Sequence, residues 1–521
     1  MAKKKVEKTK SIEETLWQAC DKLRGSIEPA EYKHVVLGLI FLKFASDKFE
    51  ERRAELIEEG HENYIEMAPF YNEKNVFFLE EESRWTFISK NAKQNNIALL
   101  IDTALHTIEK NNEALKGALP DNYFSRLGLD RTKLSSLIDK VNEIDTLEDK
   151  ENDIVGRVYE YFLKKFAIKE GKGKGEFYTP KTIVNLIAEL IEPYEGIIYD
   201  PCCGSGGMFV QSMKFIEQHQ GNKKKVSIYG QEYTKTTYKL AKMNLAIRGI
   251  SANLGEKDAD TFSNDQHKDL KADYIMANPP FNQKDWREES ELLDDPRWNG
   301  YAVPPKSNAN YAWILNMVSK LSVDGVAGFI LANGALSGGS EEYKIRRKLI
   351  ENNLVEAIII VPRDTFYTTD ISVTFWIINM NKNARSVMVN GTEKKYRDRN
   401  EEILFMDLRR FGEIYEKKYV GFTDKELAQV SSIYHNWQQE DYKSTYKDVP
   451  ELCFSASKEN LVANDFSLVP SRYIEFVDKD SGIDFDSEMK RIQTKFKSLI
   501  SEEKESQDQL VAAFKTLGYE L

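Results

Sequence analysis

The sequence predicts an α/β protein: a doubly wound sheet, preceded by an all-helical N-terminal domain and followed by a helical C-terminal extension. Three observations predict it. Between residues 181 and 379, short apolar runs alternate with helical periodicities, the signature of a doubly wound sheet. Residues 11–167 carry apolar residues at helical steps only. From about residue 400 the alternation weakens, and a heavily charged amphipathic helix follows.

A chain of 521 residues is too long for one compact core, so several domains are expected. The 73 basic and 84 acidic residues leave a net charge of −11. That balance excludes a chain that grips DNA unaided, because phosphate neutralisation dominates such binding. A nucleic-acid role therefore needs a local basic surface or a partner that supplies one. The apolar run Val35 to Phe44 contains Lys43 and is too short to span a bilayer, so no membrane association is expected. The lysine-rich start has no apolar segment behind it and is not a secretory signal. Cys20, Cys202, Cys203 and Cys453 form neither a disulfide framework nor a zinc spacing, which predicts a reducing cytoplasm and no metal.

Taken in order, residues 1–10 read as a disordered basic tail. Residues 11–167 form the helical domain. Ser11 and Glu14 have capping-box spacing, and Leu16, Cys20 and Leu23 follow at helical steps. Val35, Val36, Leu39, Ile40 and Phe44 mark a second helix, and further helices are expected at 92–110, 131–143 and 152–167. Residues 168–174 are a flexible basic boundary, so the catalytic domain is placed at 168–400. Its strands are expected at 196–200, 225–231, 272–277, 325–331, 354–361 and 372–379. Its helices are expected at 181–191, 206–218, 234–248, 309–321 and 340–351. No helix separates the last two strands, which predicts an antiparallel hairpin at the sheet edge. Residues 401–521 form a C-terminal region with a strand at 402–407 and helices at 424–438 and 486–518. Met489, Ile492, Phe496, Leu499 and Ile500, then Leu510, Val511 and Phe514, make one apolar stripe on the last helix. The stripe either folds back on its own core or packs against another subunit.

The candidate chemistry lies at the ends of the predicted strands, where such sheets place their sites. The run Asp273 to Ala277 ends in Asn278-Pro279-Pro280-Phe281. Two prolines fix φ and remove two backbone donors, so this turn offers carbonyls. Asn278 adds a side-chain acceptor and Phe281 a stacking face. The set suits a planar group with an exocyclic NH2, such as adenine; a plain strand-terminating turn is the alternative. The strand at 196–200 ends in Asp200-Pro201-Cys202-Cys203-Gly204-Ser205-Gly206-Gly207, whose glycines allow close approach of a ligand to the backbone. Neither G-x-G-x-x-G nor a Walker-type Lys-Ser/Thr is present, which disfavours a phosphate cradle. The Asp200 carboxylate suits a cationic, hydroxyl-rich ligand such as S-adenosylmethionine. Glu232, just past the next strand, is placed for ribose hydroxyls. Asp260 is the candidate for the cofactor's adenine amino group, with Asp258 as the alternative. Ahead of the sheet, Gly175-Glu176-Phe177-Tyr178-Thr179-Pro180 offers two rings to cover a cofactor and a threonine to cap the helix.

In this order the motifs resemble the amino-methylating DNA methyltransferases that modify adenine N6, in the arrangement called the gamma class. Leu16 to Ser26, with Tyr32 and Val36-Leu37-Gly38-Leu39, is similar to the helical domain of the modification subunit of Type I restriction–modification systems. Pro296-Arg297-Trp298, Pro304-Pro305-Lys306-Ser307 and Ser471-Arg472-Tyr473 are similar to the same family. The resemblance implies a Rossmann-like S-adenosylmethionine-dependent methyltransferase sheet. It implies that Glu176, Phe177, Tyr178, Thr179, Pro180 and Lys181, with Asp200, Ser205, Gly206, Gly207 and Glu232, line the cofactor site. Gly204, Asp260 and Asn278 complete the expected set. Asn278 and the Pro279 carbonyl would accept hydrogen bonds from the target adenine, beside Pro280, and Phe281 would stack on it where many relatives have tyrosine. A paired adenine hides its N6, so the base must be flipped out. The resemblance also implies partners: a specificity subunit that reads double-stranded DNA, two modification subunits joined to it, and a restriction subunit that translocates and cleaves. The terminal helical regions are the expected docking surfaces, and the expected purpose is protection of host DNA. The same tetrapeptide also suits methylation of a protein glutamine amide or of an RNA amino group.

Overall fold

Apolar residues at three- and four-residue steps build the helical part. The computed structural model describes residues 14, 17, 29–74, 76–144, 160–162, 164–165, 179–366, 370–415, 418–477, 484–516 and 518. They fall in two units, residues 1–474 and 475–521. In the first unit, α1 (Pro29–Glu58), α2 (Ile97–Asn111) and α3 (Arg131–Asn142) share one core. Ile97, Ile101, Ala104, Leu105 and Ile108 form the buried stripe of α2. That helix starts later than the expected residue 92 because residues 91–96 are turns. The expected Ser11–Glu14 cap, and most of the helix expected at 152–167, lie outside the described residues.

The sheet has nine strands in the order β13-β10-β6-β7-β5-β4-β1-β2-β3. They are β1 (Gly196–Asp200), β2 (Val226–Gly230), β3 (Ala252–Asn253), β4 (Ala272–Ala277), β5 (Leu321–Ala332), β6 (Val355–Ile360), β7 (Val373–Asn379), β10 (Glu402–Asp407) and β13 (Cys453–Ser457). Two separate hairpins, β8 (Arg385–Val389) with β9 (Thr392–Tyr396) and β11 (Glu413–Tyr415) with β12 (Tyr419–Gly421), complete the strands among the described residues. The connecting helices include α4 (Lys181–Ile191), α5 (Gly207–Gln218), α6 (Lys235–Ile247), α7 (Asn310–Lys320), α8 (Ser340–Glu351) and α9 (Asp424–Gln438). Successive strand residues face opposite layers, as a period of two requires. Ile198, Met276 and Ile330 pack with α4, α5 and α9; Tyr199, Ile275 and Phe329 pack with α7 and α8.

Two expectations are corrected here. The β6–β7 hairpin is not at the sheet edge: β7 runs antiparallel between β5 and β6, while β10 and β13 extend the sheet beyond β6. Every residue of β6 and β7 is buried, and strands apolar on both faces belong in a sheet interior. The domain boundary expected at residue 400 therefore falls inside the sheet.

Helix α6 joins the sheet to the helical part. Its Tyr238, Ala241 and Leu245 face the sheet layer, while Leu240, Met243 and Ile247 enter the helical core. Lys239 and Lys242 donate to the carbonyls of Leu119 (2.7 Å) and Lys116 (2.9 Å). Tyr473, from the Ser-Arg-Tyr segment, stacks on Phe405 of β10 with ring centroids 4.2 Å apart. The second unit contains α10 (Phe485–Thr516), which carries the expected apolar stripe. No helix among the described residues is long and apolar enough to cross a membrane.

Candidate active site

Asp200 of β1 is paired with Gly230 of β2, and Tyr199 with Ile275 of β4, so the ends of these three strands stand side by side. Asp200 is buried, and its Oδ1 accepts the Cys202 N–H at 3.0 Å. Burial pushes its carboxyl up to about 7, against the pull of that N–H and with help from the charge of Glu232. Burial also pushes the Cys202 and Cys203 thiols well up, so both stay protonated at neutral pH.

The chain then turns through Gly204 (φ +55°) and Gly206 (φ +78°), conformations that side chains disfavour. A Cβ on Gly206 would press on Leu245 at 3.3 Å, whereas one on Gly204 or Gly207 would meet nothing within 4 Å. Both of these glycines border a cleft between α4 and α5 that also touches Thr179, Lys181, Asp200, Ser205, Gln211 and Asn278. The bare backbone there is what close approach of a ligand requires.

Past β2, Glu232 is held by two backbone donors. Its Oε2 accepts the Gly204 N–H at 3.1 Å and its Oε1 the Thr234 N–H at 2.8 Å. Buried Gln231 fastens the next loop, donating to the carbonyls of Ala259 (3.2 Å) and Asn264 (2.9 Å) and accepting from Gln266 N (3.1 Å). In that loop the Asp260 Oδ1 accepts the N–H groups of Phe262 and Ser263, both at 2.8 Å. Asp258 and Asp260 are both half-buried and lie beyond Glu232, outside the cleft lining.

At the end of β4, Asn278 is 8% exposed. Its Nδ2 donates to Thr179 Oγ1 at 3.1 Å, and its Oδ1 is buried without a hydrogen-bond partner among the described residues. Leaving a buried acceptor unpaired costs about 1–3 kcal/mol until a donor reaches it. Phe281 stands edge-on to Phe366, centroids 6.1 Å apart. The next residue, Asn282 (φ +51°), accepts from Asn310 Nδ2 at 2.9 Å and donates its N–H to Asn310 Oδ1 at 3.0 Å. The tetrapeptide is thereby anchored to the start of α7.

Thr179 does not cap α4 as expected: Pro180 takes that position with no side-chain cap, and the threonine hydroxyl is committed to Asn278. Glu176, Phe177 and Tyr178 lie outside the described residues. Three features escaped sequence reasoning. Phe366 carried a signal, an aromatic just past β6. Gln211 carried a weaker one, its position one helical turn after Gly207. Arg297 lay in a family-like segment with no role attached. It donates to the carbonyls of Thr261 (2.9 Å) and Phe262 (2.6 Å) and pairs with Asp295 at 2.7 Å, locking the Asp260 loop from outside.

Comparison with known proteins gives the family. The family described as N-6 DNA Methylase matches residues 150–481, and the HsdM N-terminal domain matches residues 12–141. The HindI methylase subunit of a Type I restriction enzyme from Haemophilus influenzae is 40% identical over 82% of this chain and 94% of its own length. The MjaIX methylase subunit from Methanocaldococcus jannaschii is 35% identical over 98% and 92%. The crystal structure of a type I restriction-modification methyltransferase subunit from Streptococcus thermophilus shares the fold, with a TM-score of 0.73 and 24% identity over 89% of this chain and 99% of that one. The chain belongs to the N-6 DNA methylase family, as a methylase subunit of the Type I restriction-enzyme branch, and is by that membership an adenine-specific DNA methyltransferase.

Proposed function

We propose that the chain transfers a methyl group from S-adenosylmethionine to the N6 of an adenine flipped out of duplex DNA, at sites chosen by a separate specificity subunit. The observation that carries this reading is the buried, unpartnered Asn278 Oδ1 beside the open glycine turn. The cofactor supplies an activated methyl on a sulfonium. The residues present fit it: Glu232 would take the ribose hydroxyls, Asp260 the adenine amino group, and Asp200 would favour the net positive charge. Gly204, Ser205, Gly206 and Gly207 provide the bare backbone, with Thr179, Pro180 and Lys181 opposite; Glu176, Phe177 and Tyr178 belong to the same proposed site.

The residues of the β4 turn act on the base. Asn278 Oδ1 and the Pro279 carbonyl would accept the two N–H groups of the adenine amine. Two acceptors favour a nitrogen that gains positive charge as its lone pair leaves the ring. Pro280 keeps the turn rigid, and Phe281 would stack on the base, with Phe366 behind it. Holding the base in line supplies much of the remaining acceleration.

The acidic balance of −11 supports a partner-dependent enzyme. Two copies of this chain would join one specificity subunit in the cytoplasm, with a restriction subunit completing the complex. The HsdM-type helical domain and α10 are the proposed docking elements. The test is Asn278→Ala, assayed with the specificity subunit, target duplex and labelled cofactor. Methyl transfer should vanish while cofactor binding stays; near-normal methylation by the folded variant refutes the assignment.

A further inference from the structure

Gln211 lies on α5, one helical turn after Gly207, so the two share a face. It lines the same cleft as Asn278 and Lys181. The residue is 6% exposed, and its side-chain Oε1 is buried with no hydrogen-bond partner among the described residues. Nothing in the chemistry assigned above uses it. An amide acceptor held in this way carries a desolvation cost until a donor arrives.

The sheet order indicates which donor. From β3 to β4 the strand ends present Asp260, Glu232, the glycine turn and Asn278 in sequence along one edge. On the proposed reading, the cofactor's adenosine occupies the Asp260–Glu232 end and its methyl faces Asn278. The amino-acid tail then has one direction left, past the glycine turn into the cleft between α4 and α5. The cleft lining matches: it includes Gln211 and Asn278 but neither Glu232 nor Asp260. We infer that Gln211 recognises the cofactor's α-amino-acid end, its Oε1 accepting a hydrogen bond from the α-ammonium. The assignment rests on the proposed cofactor reading.

The test is calorimetric binding by the full chain, with two ligands and two variants. S-adenosylmethionine carries the amino-acid tail; 5′-methylthioadenosine keeps the adenosine and thioether and lacks the tail. Gln211→Met preserves length and removes the acceptor, and should weaken S-adenosylmethionine binding about tenfold or more, the worth of a hydrogen bond to a charged group. Its affinity for 5′-methylthioadenosine should stay within about twofold, since that ligand makes no such bond. Gln211→Glu keeps an acceptor at the same reach and should bind S-adenosylmethionine at least about as tightly as the wild type. An equal loss for both ligands in Gln211→Met, or no loss for either, overturns the assignment, as does a Gln211→Glu variant that binds S-adenosylmethionine as poorly as Gln211→Met. Wild-type protein that binds neither ligand overturns the cofactor reading itself.

Discussion

Asn278 Nδ2 donates to Thr179 Oγ1 at 3.1 Å, a bond that spans 99 residues of sequence and joins the β4 turn to the start of α4. In this arrangement the amide nitrogen faces the threonine. With the nitrogen committed, the oxygen is the end left unpartnered. An amide free to flip would present its NH2 to the adenine amine half the time, donor against donor.

Thr179→Val removes the acceptor and keeps the shape. It should lower kcat about tenfold, the worth of one hydrogen bond to the reacting geometry, with a smaller effect on KM. Thr179→Ser keeps the hydroxyl and should recover most of the rate. Steady-state methylation kinetics of the assembled enzyme distinguish these outcomes. A valine variant at full rate would mean that the amide is oriented by something else.

The raised carboxyl of Asp200 predicts that cofactor binding depends on pH. Its carboxyl is raised to about 7, so the free protein holds a neutral acid below that pH and a carboxylate above it. Affinity for the positively charged cofactor should rise between pH 6 and 8, and Asp200→Asn should flatten that rise. Stability moves the other way. The folded state keeps this proton to a higher pH than the unfolded chain does, so the cofactor-free protein loses stability as pH climbs from about 4 through 7. Asp200→Asn should therefore gain more in melting temperature at pH 8 than at pH 5. Calorimetric titrations and thermal melts across that range provide both readouts.

Arg297 and Asp295 form a nearly buried pair, and the guanidinium also serves the carbonyls of Thr261 and Phe262. Arg297→Ala removes the guanidinium from Asp295 and from both carbonyls, while Asp295 keeps the backbone N–H of residue 297, and should cost about 3 kcal/mol of unfolding free energy in denaturant titrations. Arg297→Lys should recover little, because an ammonium cannot reproduce the planar fork. Cofactor affinity should fall with the alanine variant, since the Asp260 loop loses its outer anchor.

The proposed role of Phe281 is one that only a ring performs. Phe281→Tyr should methylate at close to the wild-type rate. Phe281→Ala should lose roughly 1–3 kcal/mol of base stacking, seen as a raised KM for DNA. Equal activity of the two variants would remove stacking from the account.

The purified chain alone should bind S-adenosylmethionine yet methylate DNA poorly, and adding its specificity subunit should restore site-specific transfer. Efficient sequence-specific methylation by the isolated chain would show that this protein reads DNA itself.

Much of this was legible before any coordinates. The runs at 196–200 and 272–277 became β1 and β4 with the expected bounds, and α4 and α8 also fell where the periodicity put them. The glycine turn, Glu232 and Asn278 stand at strand ends as read. Phe177 and Tyr178 fall outside the described residues, and Asp260 proved tied into its own turn.

By itself the sequence determined the kinds of element, the positions of the turns and the chemistry offered there. These follow from period-two and period-3.6 burial and from the backbone limits of glycine and proline, which act over a few residues. Tertiary structure alone decided that β7 lies between β5 and β6, and that β10 and β13 continue the sheet past residue 400. It alone paired Asn278 with Thr179, set Arg297 against the Asp260 loop and left Gln211 unpartnered in the cleft. Such contacts join side chains tens of residues apart, and a hydrogen bond made across that distance leaves no periodicity in the chain that makes it.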